Sequence, residues 1–287
     1  MKIKVVLIGS NGMLGTDLSD VLNNDSRIEL IQIDRKKCDI TVKQEVEKAL
    51  DNINFDYLVN AAAYTNVEKA EIERDICMSV NYDGTKNLLA ECSKKNATII
   101  QISSDYVFDG NKSTPYDESD NTNPLSYYGK SKALSEEVVN RYKKNYIIRT
   151  SWLYGRGGNN FVEKILTKVN NNEELKVVSD QIGSPTYSYD LATIIKILIL
   201  RDSKNYGTYH VTNIGYYSWF SFAQMITNLL KTKSKIVPVE SKYLKTLAKR
   251  PLSSRLSKKK FISLDIIDIP TVENALQRYL KITELIK

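Results

Sequence analysis

A tyrosine and a lysine four residues apart are the side chains in this sequence best suited to acid–base chemistry. Tyr128 and Lys132 form a Tyr-x-x-x-Lys motif, and residues at this spacing share one face of a helix. A nearby cation stabilises a phenolate and lowers the tyrosine pKa from its ordinary value of about 10. We therefore expect Tyr128 to donate a proton to a carbonyl group near neutral pH.

Sequence context separates this motif from a second match, because Tyr82 and Lys86 have the same spacing. Tyr128 follows Ser104 by 24 residues, and Ser104 ends an apolar segment typical of a buried strand. Ligands of open α/β sheets bind at the carboxyl ends of the strands. Ser104 is therefore expected to hydrogen-bond the same carbonyl, whereas Tyr82 has no comparable partner and is expected to be structural.

The composition excludes several other kinds of site. The 287 residues include one histidine, His210, and three cysteines, at positions 38, 77 and 92. These are too few and too irregularly spaced for a histidine-based zinc site or a zinc ribbon. A Ser-His-Asp hydrolase would depend on His210 alone, which we expect to be a packing residue in a late strand. No metal site is predicted.

Charge and hydropathy argue against two classes of partner. The 41 Lys+Arg and 34 Asp+Glu give a net charge of +7, but the basic residues are scattered among acidic ones, so no nucleic-acid partner is predicted. The longest apolar stretch, 194–200, contains Lys196 and is too short to span a membrane. The apolar run at 5–8 is too short for the core of a signal peptide. We expect a cytoplasmic protein.

The first glycine-rich segment predicts a dinucleotide site. Gly9, Gly12 and Gly15 form a GxxGxxG loop between an apolar strand and a helical segment. Such glycines allow a tight turn, close approach of a pyrophosphate and close packing of the helix on the sheet, while the helix N-terminus attracts the phosphates. Asp34 ends the second apolar segment, 19 residues after Gly15, where a carboxylate binds the adenosine ribose.

The residues around Asp34 leave the choice between NAD and NADP open. The carboxylate favours an unphosphorylated ribose, whereas the guanidinium of the neighbouring Arg35 is suited to a 2′-phosphate. We therefore expect either NADPH or NADH as the cofactor.

Strand-like and helical segments alternate in the first half of the chain. The pattern predicts strands over 1–8, 28–33, 57–59, 97–102 and 146–150, and helices over 12–23, 42–50, 76–95 and 125–143. Alternation of this kind produces βαβ units and a parallel sheet covered on both faces. The predicted fold class is α/β, a Rossmann-like doubly wound parallel sheet with a smaller mixed C-terminal substrate-binding domain.

The second half of the chain has a less regular pattern. It predicts strands over 175–178 and 207–211 and helices over 159–169, 188–200 and 218–230. We predict a dinucleotide-binding domain over 1–151, completed by elements from about 187–213, and a mainly substrate-binding region over 152–287.

The glycine loop, Asn60-Ala61-Ala62-Ala63, Ser104 and the Tyr128/Lys132 pair together resemble the extended short-chain dehydrogenase/reductases. More narrowly, the chain is similar to the dTDP-4-dehydrorhamnose reductase family in a series of runs. These runs are NAAAYTNVEKAE (60–71), SSDYVFDG (103–110), PLSYYGKSK (124–132), RTSWLY (149–154), GNNF (158–161), DQIGSPT (180–186) and RPLSSRL (250–256). They follow the family's order over most of the chain, which makes the resemblance much more specific than any single motif.

The resemblance implies a role for each matching residue. Gly12, Met13 and Leu14, flanked by Gly9 and Gly15, would hold the cofactor pyrophosphate. The rest of the cofactor would contact Asp34, Arg35, Asp39, Ile40, Ala62, Ala63, Tyr64, Thr65, Tyr128 and Lys132. The sugar would contact Ser104, Asp105, Tyr128 and Trp152, and the nucleotide part of the substrate would contact Gln181 and Arg255.

The implied reaction is reduction of the C4 keto group of dTDP-4-dehydro-L-rhamnose to dTDP-L-rhamnose. Hydride comes from the nicotinamide, the proton comes from Tyr128, Lys132 holds the nicotinamide ribose, and Ser104 orients the carbonyl. The alternatives are a reductase or epimerase of another nucleotide-linked keto sugar and a non-catalytic regulatory subunit that binds the cofactor. A dehydratase is disfavoured, because Tyr106 stands where that chemistry needs a glutamate.

Some members of the family bind magnesium through acidic residues at a dimer contact. Of those acids only Asp17 has a candidate counterpart in this sequence. The resemblance therefore implies no metal, and it leaves a homodimer open.

Overall fold

The computed structural model describes residues 2–158, 160–171, 174–232, 234–265 and 267–285. Twelve strands occur in these segments. Met1 and Asn159, the first residues of a predicted strand and a predicted helix, lie outside the described residues. The strands are β1 (Ile3–Ile8), β2 (Ile28–Ile33), β3 (Tyr57–Asn60), β4 (Thr98–Ser104), β5 (Asn145–Thr150), β6 (Leu153–Tyr154), β7 (Leu175–Val178), β8 (Ile182–Gly183), β9 (Thr186–Tyr187), β10 (Gly207–His210), β11 (Tyr217–Ser218) and β12 (Ile236–Val239).

The helices alternate with the strands of the main sheet and then continue into the C-terminal part. They are α1 (Met13–Asn23), α2 (Lys43–Leu50), α3 (Val67–Ala70), α4 (Arg74–Met78), α5 (Gly84–Lys94), α6 (Tyr127–Asn140), α7 (Phe161–Asn170), α8 (Ser188–Arg201), α9 (Trp219–Leu229), α10 (Lys259–Ile262) and α11 (Val272–Ile282). Single helical turns of 3-10 type span Asp105–Val107 and Ser241–Tyr243.

The main sheet has the strand order β10-β5-β4-β3-β1-β2, and every neighbouring pair in it is parallel. The chain moves outward from β1 in both directions, to β2 on one side and to β3 on the other. This reversal creates a crevice beyond the carboxyl ends of the strands, where ligands of doubly wound sheets bind. The predicted Rossmann-like sheet is confirmed.

Two apolar layers cover the sheet. On one face α1 and α8 pack through residues such as Leu18 and Ile195, and on the other face α2, α5 and α6 pack through residues such as Leu50 and Leu88. Because both faces are covered, the strands have continuous apolar sequences rather than alternating ones. A third apolar cluster, which includes Tyr154, Phe222 and Tyr279, joins α7, α9 and α11. The pairing of β10 with β5 adds a late segment to the main sheet, and the division into two domains stays a prediction.

The predicted helix over 76–95 is interrupted. It is divided into α4 and α5 by a π-helical segment, Ser79–Asp83. Within that segment Asn81 accepts a hydrogen bond from the backbone N–H of Tyr64 at 2.8 Å and donates one to the Ser131 hydroxyl at 2.8 Å. The wider helical turn therefore coincides with contacts that join the segment after β3 to α6, an interaction that local helical periodicity does not contain.

Candidate active site

Two cavities lie side by side at the carboxyl ends of the sheet strands. The Tyr128 cavity, of about 500 Å³, is lined by residues that include Ser104, Tyr128, Lys132 and Trp152. The Asp34 cavity, of about 520 Å³, is lined by residues that include Gly9, Asp34, Arg35, Asp39 and Ile40. Gly12 and residues 61–63 line both cavities. The glycine loop therefore stands between the two groups of predicted site residues.

The glycine loop brings the start of α1 against the end of β1. Gly9 has a φ of +79°, in the region that glycine adopts most readily. A Cβ on Gly15 would lie 2.1 Å from the Gly9 carbonyl oxygen, so only glycine lets the helix approach this closely. Gly12 is the N-cap of α1, and no side chain caps the helix there. Met13 and Leu14, the first helical residues, line the Tyr128 cavity.

This arrangement fits a dinucleotide cofactor. The uncapped N-terminus of α1 offers backbone N–H groups and the positive end of the helix dipole to a pyrophosphate. From that point the Asp34 cavity and the Tyr128 cavity extend in two directions. Ala62 and Ala63 line both cavities, Tyr64 lines the Asp34 cavity, and Thr65 lines the Tyr128 cavity. Their contacts with a cofactor stay predictions.

The Asp34 carboxylate organises the turn after β2. It accepts hydrogen bonds from the backbone N–H groups of Lys36 and Lys37 at 3.0 Å and from the Asn11 amide at 2.7 Å. These hydrogen bonds, with that of Lys37 the largest, hold the pKa of Asp34 below its usual value. The neighbouring Arg35 side chain is largely exposed and is 3.5 Å from the Asp39 carboxylate. A carboxylate and a guanidinium thus both border this cavity.

Close packing of α6 against the end of β4 brings Tyr128 to Ser104. Ser126 caps α6 by accepting a hydrogen bond from the Gly129 N–H at 3.1 Å. A Cβ on Gly129 would lie 2.2 Å from the Tyr106 carbonyl oxygen, so glycine lets the first turn of α6 contact the turn that follows Ser104. Tyr128, in that first turn, and Ser104 both line the same cavity.

Burial governs the protonation of the phenol and the ammonium. It raises the pKa of Tyr128 to about 12, and the neighbouring Ser104 hydroxyl offsets only part of that increase. The Lys132 Nζ donates to the Ile102 carbonyl oxygen at 2.6 Å, and burial lowers the pKa of Lys132 to about 8. The expectation that the pKa of Tyr128 falls below its ordinary value of about 10 is therefore wrong for this structure, because the desolvation of the phenolate dominates. Tyr128 retains its proton at neutral pH, as a proton donor must.

A buried ion pair lies one helical turn beyond Lys132. Glu136 accepts hydrogen bonds from Nε and a terminal nitrogen of Arg149 at 2.9 and 2.7 Å, and from the Ser103 hydroxyl at 2.5 Å. Its negative charge raises the pKa of Lys132 and so opposes the effect of burial. The sequence-based reasoning missed Glu136, although its i+4 spacing from Lys132 was a signal that could have found it.

Asp105 is a buried acid beside Ser104. Its side chain is 2% exposed, and its Oδ1 accepts a hydrogen bond from the Ser104 hydroxyl at 3.0 Å. Burial raises the pKa of Asp105 to about 7, although the nearby Ser254 and Ser104 hydroxyls act in the opposite direction. The carboxyl group is therefore partly protonated near neutral pH, within the lining of the Tyr128 cavity.

We expect Asp105→Asn to become more stable, relative to the unchanged protein, as the pH rises. Aspartate in an unfolded chain ionises near pH 4, whereas the folded-state pKa is about 7. Between these values unfolding releases a proton, so stability falls with rising pH, and the loss is complete above the folded-state pKa. The stability that the unchanged protein loses approaches about 4 kcal/mol for a shift of about three pKa units. Urea unfolding at several pH values from 4 to 8 measures the stability difference between Asp105→Asn and the unchanged protein, and Asp51→Asn, at an exposed position, is the control. A pH-independent stability difference between Asp105→Asn and the unchanged protein would contradict the assignment.

The Tyr128 cavity also contains residues that the sequence did not single out. Trp152 lines it, and so does Trp219 from the start of α9, while contact of Trp152 with a sugar stays a prediction. Trp152 has a φ of +48°, a conformation that costs a non-glycine residue about 1–2 kcal/mol. Asn81, which lies outside this lining, joins Tyr64 to Ser131 through its side-chain hydrogen bonds. No local motif marks Trp219, because its partners come from distant segments.

Other predicted residues are not brought to this place. Gln181 is buried ahead of β8, and Arg255 donates from Nε to the Ser253 hydroxyl at 2.9 Å. Within the described segments neither residue lines the Tyr128 or the Asp34 cavity, so their contacts with a nucleotide stay predictions. Tyr82 and Lys86 do meet, with the Lys86 Nζ 5.0 Å from the ring centroid, but away from both cavities.

Asp17, the acid considered for magnesium, is bonded to protein groups. Arg156 donates to its Oδ1 at 2.9 Å, and the Ser188 hydroxyl donates to its Oδ2. Among the residues that the structure describes, no cluster of three or more His, Cys, Asp or Glu side chains is arranged to hold a metal ion. In the same part of the chain no helix has the length and apolar character needed to cross a membrane.

Comparisons with known proteins agree with the geometry. The model of the family described as RmlD substrate binding domain matches residues 2–285. A dTDP-4-dehydrorhamnose reductase of Aggregatibacter actinomycetemcomitans is 38% identical over an alignment of 264 positions that covers 88% of this chain and 90% of the relative. A dTDP-4-keto-6-deoxy-D-glucose reductase of Streptomyces niveus is 35% identical, with 82% of each chain covered. The crystal structure of dTDP-4-dehydrorhamnose reductase from Bacillus anthracis in complex with NADP has a TM-score of 0.94 at 38% identity and covers 98% of this chain and 99% of that one. The chain belongs to the RmlD substrate binding domain family, and its resemblance to the dTDP-4-dehydrorhamnose reductases is confirmed.

Proposed function

We propose that this protein reduces the C4 keto group of dTDP-4-dehydro-L-rhamnose to give dTDP-L-rhamnose, with NADPH as the reductant. The observation that carries the proposal is the meeting of Ser104, Tyr128 and Lys132 in one cavity beside the glycine loop. A hydroxyl, a protonated phenol and a buried ammonium next to a dinucleotide-sized cleft suit the reduction of a carbonyl. The names of the similar reductases supply the substrate.

The cofactor would lie across the glycine loop. Gly12, Met13 and Leu14 would bind its pyrophosphate, and the Asp34 cavity would take the adenosine end. Bound there, the nicotinamide would supply hydride to the keto carbon. Lys132 would hold the nicotinamide ribose, because its Nζ is kept at the floor of the Tyr128 cavity by the Ile102 carbonyl.

The side chains of this protein would provide the proton and the orientation. The carbonyl oxygen of the sugar would lie between the Ser104 hydroxyl and the Tyr128 phenol, which line the same cavity. Tyr128 would donate its proton as negative charge develops on that oxygen. The positive charge of Lys132 would then stabilise the phenolate left behind, and the Glu136 carboxylate would keep Lys132 protonated.

Purified protein, dTDP-4-dehydro-L-rhamnose and NADPH provide the direct test. We expect oxidation of NADPH that depends on the sugar and yields dTDP-L-rhamnose, identified by NMR. The relative named dTDP-4-keto-6-deoxy-D-glucose reductase makes a second reductase activity worth testing with that sugar. Failure of folded protein to oxidise NADPH with either sugar would reject a reductase and leave the regulatory-subunit alternative.

Arg35→Ala should raise the KM for NADPH and leave the KM for NADH nearly unchanged. The Arg35 guanidinium borders the Asp34 cavity and would pair with the 2′-phosphate that only NADPH carries. Loss of a charge-assisted pair at an exposed position predicts an increase in KM for NADPH of about fivefold to tenfold. Steady-state kinetics with both cofactors measure this ratio, with Arg27→Ala as the control. Equal effects of Arg35→Ala on NADPH and NADH would rule out the contact.

A homodimer and a cytoplasmic location stay predictions.

A further inference from the structure

The only two tryptophans in the sequence lie face to face in the Tyr128 cavity. The ring centroids of Trp152 and Trp219 are 3.5 Å apart and their planes are inclined by 6°. These residues are 67 positions apart in the sequence, so the stack is a tertiary feature. Together the two indoles form one continuous apolar surface at the edge of the cavity.

The pair is held from several sides. Trp152 has a left-handed backbone, with a φ of +48°, and Gly183 leaves room for its indole, since a Cβ there would lie 2.5 Å from the ring. Trp219 begins α9, and Ser218 and Ser221 form a capping box at that helix start. Phe161 supports the other ring, with its centroid 4.5 Å from that of Trp219.

A strained residue persists only where its surroundings determine it, and such residues cluster at binding sites. The β8–β11 ladder, in which Gly183 pairs with Tyr217, fixes the Trp152 side and the Trp219 side relative to each other. The β8–β11 ladder therefore holds both rings in place. The left-handed backbone of Trp152 is part of the way its indole is placed in the cavity.

The place of the stack indicates which part of a substrate it meets. Ser104 pairs with Thr150 in the β4–β5 register, and Trp152 is two residues beyond Thr150. The stack therefore borders the region where the reacting carbonyl would lie, rather than the more distant part of a nucleotide. A 6-deoxyhexose presents C–H groups and a methyl group next to its C4 carbonyl, and Val67 and Leu153 add apolar lining to the same cavity.

We propose that Trp219 is a positioning residue, whose stacked indole keeps Trp152, the residue that the resemblance already places against the sugar, in the orientation that meets the apolar side of the deoxysugar. This inference deepens the proposed function and rests on it for the identity of the sugar. Removing Trp219 would free the Trp152 ring to turn away from the cavity. The sugar would then bind more weakly, while Ser104 and Tyr128, which would orient and protonate its carbonyl, stay in place.

Fluorescence gives the first test, because all tryptophan emission comes from this stack. Titration with dTDP-L-rhamnose should produce a saturable change in emission, and titration with dTDP, which lacks the sugar, should produce none. A change of equal size with dTDP would assign the stack to the nucleotide and overturn the proposal. Absence of any change with dTDP-L-rhamnose, under conditions where calorimetry detects its binding, would also overturn it.

Variants of Trp219 give the second test. Trp219→Leu should raise the KM for the keto sugar about tenfold, the effect expected from one lost aromatic contact, and change kcat by less than about threefold. Trp219→Phe, which keeps an aromatic ring, should restore most of the affinity. Phe220→Leu, on the same helix but outside the cavity lining, controls for loosening of α9. Equal KM effects of Trp219→Leu and Phe220→Leu would reduce Trp219 to a packing role.

These readouts separate the two proposals. If no keto sugar is reduced, the proposed function fails, while the titration with dTDP-L-rhamnose still decides whether the stack binds a sugar. If reduction occurs but the stack does not respond to the sugar, the positioning role of Trp219 fails and the reductase assignment stands. Should Trp219→Leu not fold, Trp219→Phe and the titrations decide the question alone.

Discussion

Replacing Tyr128 by phenylalanine should lower kcat about a thousandfold while leaving the affinity for NADPH within about twofold, the range expected for loss of a general acid. Burial raises the pKa of Tyr128 to about 12, so the phenol is present as the donor throughout the physiological pH range. Phenylalanine keeps the ring but has no proton to give. Water in this buried position would be a poorer and less well-oriented donor.

Single-turnover kinetics with NADPH and the keto sugar measure this loss, and NADPH fluorescence measures the retained affinity. Tyr82→Phe is a matched control, because Tyr82 has the same spacing from a lysine but lies outside both cavities. It should have nearly unchanged kcat. Residual activity of Tyr128→Phe above about a tenth of the unchanged value would be incompatible with the proton-donor role.

The parts of the site that follow from local pattern were predictable from the sequence. Continuous apolar segments predicted the buried parallel strands, because strands covered on both faces need no polar side chains. Since ligands bind at the carboxyl ends of such strands, Ser104 and the glycine loop were expected at one edge, and the structure places both there. Tyr128 could be distinguished from Tyr82 for the same reason.

The remaining features depend on contacts between distant segments. Trp219 reaches the cavity because β11 pairs with β8, a pairing of two-residue strands too short to leave a sequence pattern. The π-helical turn at Asn81 follows from its contacts with Tyr64 and Ser131, which helical periodicity does not encode. The pKa of Tyr128 was misjudged because the spacing gives the position of a cation but not the depth of burial.

Gly15→Ala should impair folding stability and Gly12→Ala should impair cofactor binding, although both alter the same motif. A Cβ at position 15 would lie 2.1 Å from the Gly9 carbonyl oxygen and 2.8 Å from the Ser10 carbonyl carbon. Both are backbone atoms that cannot move without displacing β1 or α1. A Cβ at position 12 would meet only the Gly9 oxygen, at 3.4 Å, and the φ there is −74°, which alanine adopts without strain.

We therefore expect Gly15→Ala to lower the free energy of unfolding by about 3 kcal/mol or more, at the upper end of the cost of overpacking. Gly12→Ala should cost about 1 kcal/mol or less without cofactor, because alanine is only a poorer N-cap than glycine. Its methyl group would instead stand where a pyrophosphate approaches the helix, and the affinity for NADPH should fall about tenfold or more.

Thermal unfolding with and without NADPH distinguishes these two effects. Ligand that binds only the folded state raises the melting temperature by an amount that grows with the ratio of its concentration to its Kd. Gly12→Ala should melt near the unchanged protein without NADPH and show a smaller NADPH-dependent increase than that protein, whereas Gly15→Ala should melt well below the unchanged protein in both conditions. A Gly12→Ala protein with the full NADPH-dependent increase would mean that the pyrophosphate does not approach the N-terminus of α1. A Gly15→Ala protein as stable as the unchanged one would mean that the loop relaxes, and that the close contact between Gly9 and Gly15 does not hold the glycine loop together.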